Sequence, residues 1–265
     1  TIDIKALEIA VKKYKPKILI SVDLYGQSCN YDAIYHICKK YKVFLIEDSA
    51  EALGSEYKNK KLGSYGDLSI LSFNGNKIIT TSGGGMLISK NEDYVNKAMY
   101  YSTQSREPFR HYEHKEIGYN YRLSNLLAAI GRGQLKKIDS YVSKKREVFN
   151  RYFDNLSSLD GFTFMQEAKN CFSNRWLTTL LIDNNKSGIN RDDIISALEE
   201  KNIESRPVWK PMHLQPLYKK NLYVKSGKKD NSADLFKKGI CLPSGSNLDS
   251  RDQYKIIEII KSLLN

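Results

Sequence analysis

Groups able to do chemistry follow apolar segments at several places in this chain. In Glu47-Asp48-Ser49-Ala50-Glu51-Ala52-Leu53-Gly54, two carboxylates three residues apart follow the apolar run Val43–Ile46. Carboxylates at such a strand end stand where parallel sheets bind their ligands. Asp48 and Glu51 also have the spacing of a helix capping box. In Ser72-Phe73-Asn74-Gly75-Asn76-Lys77, a hydroxyl leaves a strand end, a glycine permits a turn, and a lysine follows. The commoner outcome of that pattern is a polar turn with a solvated lysine. Thr81-Ser82-Gly83-Gly84-Gly85 permits positive φ and close backbone approach, or a flexible hairpin turn. In Gly118-Tyr119-Asn120-Tyr121-Arg122-Leu123-Ser124, Asn120 offers an amide, and Ser124 can cap a following helix. Arg206-Pro207-Val208-Trp209-Lys210-Pro211-Met212-His213 gathers two cations, an indole and an imidazole; its other reading is a proline-punctuated loop. His111 and His114 have metal-ligand spacing but no acidic or thiol partners, so no metal is expected.

The surrounding pattern says what must hold these groups. Ile4–Tyr14 and Tyr31–Tyr41 carry apolar residues at helical spacing, and Lys17–Val22 and Val43–Ile46 are short buried-strand runs. Leu68–Phe73 and Met86–Ile88 are further strand candidates. Strand, helix, strand at this pitch predicts βαβ units and a mainly parallel sheet. Leu123 to Leu156 reads as one long helical stretch, with Gly131 and Gly133 able to bend it. Beyond it, Trp176–Ile182 and Ile203–Val208 read as strands, and Arg191–Lys201, Leu235–Lys238 and Asp249–Leu264 as helices. The expected organisation is α/β throughout: a large domain over 1–125, a connecting long helix over 126–160, and a smaller C-terminal α/β domain over 161–265.

The order and spacing of the four N-terminal pieces form a specific signature. With Val22-Asp23-Leu24-Tyr25-Gly26 and Arg206–Tyr218, they make nearly the whole chain resemble the DegT-type, fold-type I, pyridoxal-phosphate-dependent sugar aminotransferases. The nearest group by that resemblance aminates UDP-linked 4-keto-6-deoxy-N-acetylhexosamines at C4, as in bacillosamine-type pathways. The resemblance implies that Lys77 is the lysine joined covalently to the cofactor, a task for a neutral amine. It implies that Asp48 pairs with the ring nitrogen and keeps it protonated, making the ring an electron sink. Glu51 would lie beside the ring, Ser72 would donate to the phosphate, and Asn120 would reach the phosphate of a neighbouring subunit, so a homodimer with shared active sites is implied. Arg206, Trp209, Lys210 and His213 match the stretch near the sugar-nucleotide site. The family pattern also implies about a hundred further residues before Thr1, with a phosphate-binding helix start and an aromatic against the ring. Asp23 departs from the pattern, since many relatives have histidine there.

The implied activity moves an amino group from an amino acid, expected to be glutamate, to the 4-keto group of a nucleotide-linked deoxysugar. A sugar dehydratase on the same scaffold is one alternative; that branch has histidine in place of the lysine, and Lys77 is present. A non-catalytic basic regulator is another. The formal charge, 42 basic against 30 acidic residues, is +12 and permits nucleic-acid contact. No zinc-finger, RRM or zipper pattern accompanies it, so most of the lysines read as solvated faces and no nucleic-acid partner is expected. A mean hydropathy of −0.51 and no apolar run near 18 residues exclude a membrane-spanning class. Four unpatterned cysteines and no leader-like segment suit a reducing cytoplasm.

Overall fold

The computed structural model describes residues 1–264. In chain order its elements are α1 (Ile4–Tyr14), β1 (Ile18–Val22), α2 (Tyr31–Tyr41), β2 (Phe44–Asp48), β3 (Glu56–Tyr57), β4 (Lys60–Lys61), β5 (Leu68–Ser72), β6 (Gly85–Ile88) and α3 (Glu92–Ser102). These are followed by α4 (Asn125–Leu135), α5 (Ile138–Leu156), β7 (Phe162–Phe164), β8 (Cys171–Phe172), β9 (Thr178–Ile182), α6 (Asn184–Ser187) and α7 (Arg191–Glu199). The chain ends with β10 (Arg206–Pro207), α8 (Asn231–Lys238), β11 (Gly239–Leu242) and α9 (Ser250–Ser262). The architecture is α/β, as expected. The described residues group into two compact units: 1–2, 14–139 and 170–173 in the first; 3–13, 140–169 and 174–264 in the second.

The first unit is organised by the sheet β1-β2-β5-β6. β1, β2 and β5 run parallel, so their carboxyl ends lie on one edge of the sheet, while β6 returns antiparallel to β5. The predicted strands are present, and β2 is longer than its apolar run, taking in Glu47 and Asp48. Val22 is opposite Asp48, which brings the residues just after both strands to the same place. Asn30 caps α2, its side chain accepting from the Ala33 amide at 3.2 Å. That helix buries Tyr31, Ile34, Ile37 and Cys38. A second, small sheet orders β4-β3-β8, so residues 171–172, far along the chain, complete the first unit.

The stretch read as one long helix is two. α4 stops at Leu135, the Lys137 amide donates back to Gln134, and α5 begins at Ile138. Gly131 and Gly133 lie inside α4 without breaking it. At Gly131 a Cβ would stand 2.9 Å from Thr81 Cγ2, so the glycine permits close packing on the glycine-rich loop.

The second unit is an antiparallel sheet, β10-β11-β9-β7. Val148, Phe149, Tyr152 and Leu156 of α5, Leu198 of α7 and Ile257 of α9 join Leu180, Ile182, Ile240 and Leu242 in its core. Each such side chain contributes about 1.5–3 kcal/mol on burial. The strand expected over 203–208 shrinks to Arg206–Pro207, because Pro207 has no amide hydrogen to extend a ladder.

Candidate active site

Lys77 lies in the connection between β5 and β6, and the sequence around it explains its placement. Its amide donates to Asn74 O at 3.0 Å, closing a turn. Ile78, Ile79 and Thr81 follow it into the interior and anchor the loop. Phe73 N donates to Gly84 O, and Thr81 N to Phe73 O, so the loop folds back on its own base. Gln134 of α4 clamps Thr80 from both sides, accepting from its amide at 3.1 Å and donating to its carbonyl at 2.5 Å. Gly84 has φ +95°, and a Cβ there would stand 2.7 Å from Leu123 Cδ1. The glycine run is therefore a fitted return into β6, not a loose hairpin.

The Lys77 side chain is only 13% exposed, and its Nζ is 3.9 Å from Glu51 Oε1. Burial pushes the amine below the ordinary lysine range, while Glu51 and Asp48 pull it back up. A lysine so placed is more readily neutral than a solvated one. The other Glu51 oxygen accepts from the Tyr25 amide at 2.7 Å. Tyr25 is buried and left-handed, with φ 55° and ψ 25°. The backbone after β1 thus bends to aim an N–H at Glu51.

Asp48 ends β2. Its Oδ1 accepts from the Ala50 amide at 3.1 Å, and no helix follows, so the capping-box reading gives way to a turn. The structure therefore brings Lys77, Glu51 and Asp48 together at the carboxyl ends of β2 and β5. Ser72 ends β5, its hydroxyl accepting from the Asn74 amide at 3.4 Å. Asn120 is elsewhere in the first unit, exposed and bridged to Thr103. Ser124 caps α4, accepting from Leu127 N at 3.3 Å.

The remaining expected residues belong to the second unit. Arg206 is exposed and forms an ion pair with Glu204. Trp209 packs near Trp176, ring centroids 6.2 Å apart, and Lys210 is exposed. His213 Nε2 is 2.9 Å from Asp230 Oδ2, and its ring stacks on Tyr223 at 3.7 Å. Tyr223 donates to the other Asp230 oxygen at 3.0 Å. Asp230 and Tyr223 were not singled out in the sequence; the only signal was that Asp230 precedes a helix, which it caps. His111 sits 3.1 Å from Glu113 and His114 contacts Gln104 O, and no metal-ligating cluster occurs among the described residues.

Residues 1–261 match the model of the DegT/DnrJ/EryC1/StrS aminotransferase family. The chain belongs to that family. It is 50% identical over 266 residues to EpsN of Bacillus subtilis, named as a candidate pyridoxal phosphate-dependent aminotransferase, covering 98% of this chain and 68% of that protein. It is 37% identical over 246 residues to the GDP-perosamine synthase of Escherichia coli, covering 93% of this chain and 65% of the relative. Helicobacter pylori PseC, an aminotransferase of pseudoaminic acid biosynthesis, superposes with a TM-score of 0.86 at 27% identity, over 97% of this chain and 70% of that one. The family's cofactor is pyridoxal phosphate. The donor set fits it: a half-buried amine for the aldehyde, carboxylates for a cationic ring nitrogen, and a strand-end hydroxyl for phosphate. Among the described residues, no helix is long and apolar enough to cross a membrane.

Proposed function

We propose that this protein transfers an amino group from an amino acid, glutamate in our reading, to the 4-keto group of a nucleotide-linked deoxysugar. The observation that carries the reading is the Lys77 amine, half-buried, lowered in basicity, and 3.9 Å from the Glu51 carboxylate. Bound pyridoxal phosphate supplies an electron sink that lets the proton on an amino-bearing carbon leave. Lys77 would hold the cofactor through its Nζ, and the same amine would be the base that takes up and returns that proton. Asp48, at a rigid strand end, would balance the positive charge of the ring nitrogen. Glu51, fixed by the Tyr25 amide, would help hold the ring, and Ser72 would donate to the phosphate.

Arg206 and Lys210 supply charge for a diphosphate, while Trp209 and His213 supply flat faces for base or sugar. His213 is held by Asp230, so it acts as an oriented ring. The homodimer reading, with Asn120 serving the neighbouring subunit, is supported by exposed apolar side chains in the chain segment that holds that residue. Tyr112, Ile117, Tyr121 and Leu126 are 72%, 83%, 75% and 80% exposed. Large apolar side chains this exposed, gathered in one segment, suit an interaction surface. The acceptor favoured is a UDP-linked 2-acetamido-4-keto-trideoxy sugar, and four free cysteines suit work in a reducing cytoplasm.

The test is a donor and acceptor screen on the purified protein with pyridoxal phosphate, followed by NMR of the product. Glutamate-dependent formation of a 4-amino sugar nucleotide is expected. Absence of amino transfer to any nucleotide-linked keto sugar overturns the proposal. A fully active monomer in sedimentation overturns the dimer part.

A further inference from the structure

Asp23 has no place in the chemistry above, yet it is built into the interior more firmly than Asp48. Asp23, Glu47 and Ser49 are all fully buried. Asp23 Oδ1 accepts from the Cys29 amide at 3.0 Å, and the Tyr31 hydroxyl lies 2.8 Å from both carboxylate oxygens. The Asp23 amide donates to Asp48 O at 3.0 Å, so the two residues are clamped through their backbones. Ser49, covalently next to Asp48, places its Oγ 2.8 Å from Asp23 Oδ2 and 3.1 Å from Glu47 Oε1.

A hydroxyl has one proton, and two acids compete for this one. Glu47 is well supplied without it. Its oxygens accept from the amides of Gly63 at 2.6 Å, Tyr65 at 2.7 Å and Gly66 at 3.0 Å, and from Ser69 Oγ at 2.8 Å. At Gly66 a Cβ would stand 2.9 Å from Glu47 N, so the loop can wrap the acid this closely only with glycine there. Glu47 thus has donors on both oxygens without calling on Ser49. Asp23 has fewer donors, all of them neutral, and a second acid beside it. Two carboxylates bridged in a dry interior resist ionising together. Burial pushes Asp23 up to about 7, with its hydrogen bonds to Ser49 and Cys29 pulling down and Glu47 adding to the rise. The other titratable groups facing it are Tyr31 of α2 and Cys29, both pushed up by burial, and Tyr65 stacked on Tyr31.

We propose that Asp23 is a positioning residue for Asp48, acting through an Asp23–Ser49–Glu47 relay whose hydrogen bonds reverse when Asp23 takes up one proton. In the charged form Ser49 O–H donates to Asp23 Oδ2. In the neutral form the proton gained from solvent sits on Oδ2 and donates to Ser49 Oγ, and the Ser49 proton turns to Glu47 Oε1. No heavy-atom bond changes, and one proton is gained. The negative charge behind Asp48 therefore falls by one across neutral pH while the strand ends stay clamped. The consequence for a cofactor at Asp48 rests on the proposed aminotransferase reading; the relay itself does not.

The test is a carbon-13 NMR titration of the aspartate carboxyls in the whole chain without added cofactor. Asp23 is expected to titrate at about 7, with the Asp48 signal shifting at the same pH. Ser49→Ala should raise the Asp23 midpoint, because it removes a donor that favours the charged form. With pyridoxal phosphate added, the wild type should show an inflection in the bound cofactor's absorbance at about pH 7 that Asp23→Asn lacks. An Asp23 midpoint in the ordinary aspartate range, or an Asp48 signal indifferent to it, overturns the relay. If Asp23→Asn does not fold, the wild-type and Ser49→Ala titrations decide. Failure to bind the cofactor would strike the aminotransferase reading alone, since the first titration needs none.

Discussion

Lys77, half-buried, and Lys145, buried, both have their basicity lowered by burial, and what faces each amine separates their roles. Lys77 sits in a loop of the first unit, beside Glu51 and under the field of Asp48. Lys145 sits inside α5 in the second unit, where its Nζ donates to Trp176 O at 2.9 Å and Ser244 O at 2.8 Å. Burial pushes it down to about 8. Carbonyls can accept a hydrogen bond but cannot take a proton, so Lys145 ties backbone segments together. Carboxylates can hold or return a proton, so the surroundings of Lys77 suit chemistry. A buried amine alone does not distinguish a strut from a reactive group; its acceptors do.

The sharpest way to break this contrast is Lys77→Ala. Amino transfer should fall to background while the unfolding midpoint stays close to wild type; turnover near the wild-type rate would remove the assignment. Next, Asp48→Asn should lower turnover by about 10²-fold or more, as expected on losing one preorganised charge. Steady-state kinetics at saturating donor measure it, and an unchanged rate would refute the role.

Asp23 tests the same acid-lined region through stability. Its folded value of about 7 stands above the ordinary 3.8. Between those values the folded chain binds more protons than the unfolded one, so this group's contribution to stability falls as pH rises through that window and is level above it. Relative to Asp23→Asn, the wild type should lose up to about 4 kcal/mol between pH 4 and pH 7, read from urea melts at each pH. A difference independent of pH would contradict the buried-acid assignment.

The carbonyl-lined region gives the converse. Lys145→Met should cost about 3 kcal/mol, since two buried carbonyls lose a charged donor. Any activity lost by Lys145→Met should follow the folded fraction. Smallest of all, Glu204→Gln breaks an exposed ion pair with Arg206 and should change stability by less than about 0.5 kcal/mol. A larger effect would mean that the pair does more than decorate a surface.

Much of the site was legible locally. An acid at the end of an apolar run, a lysine after the next strand and a glycine run after that are properties of consecutive residues. Helical and strand periodicity depends on neighbours a few positions apart, so α2, β1, β2 and β5 could be placed from sequence within a residue or two. Short strands could not. β3, β4 and β8 have two residues each and no period to read. The capping-box reading of Asp48 and Glu51 also failed for want of distant information, because Glu51 is drawn to the Tyr25 amide, 26 residues earlier.

By itself, then, the sequence determined the order of the candidate groups, the alternation that builds a parallel sheet, and the family. Tertiary structure alone decided which groups share an environment. It joined Asp23 to Ser49 and Glu47, completed the first unit with residues 170–173, grouped residues 3–13 with the second, and gave one lysine acids and the other carbonyls. The reason is physical. Local pattern decides which face of an element is apolar, but the partners of a buried polar group come from whichever distant segments the closed chain brings within about 3 Å.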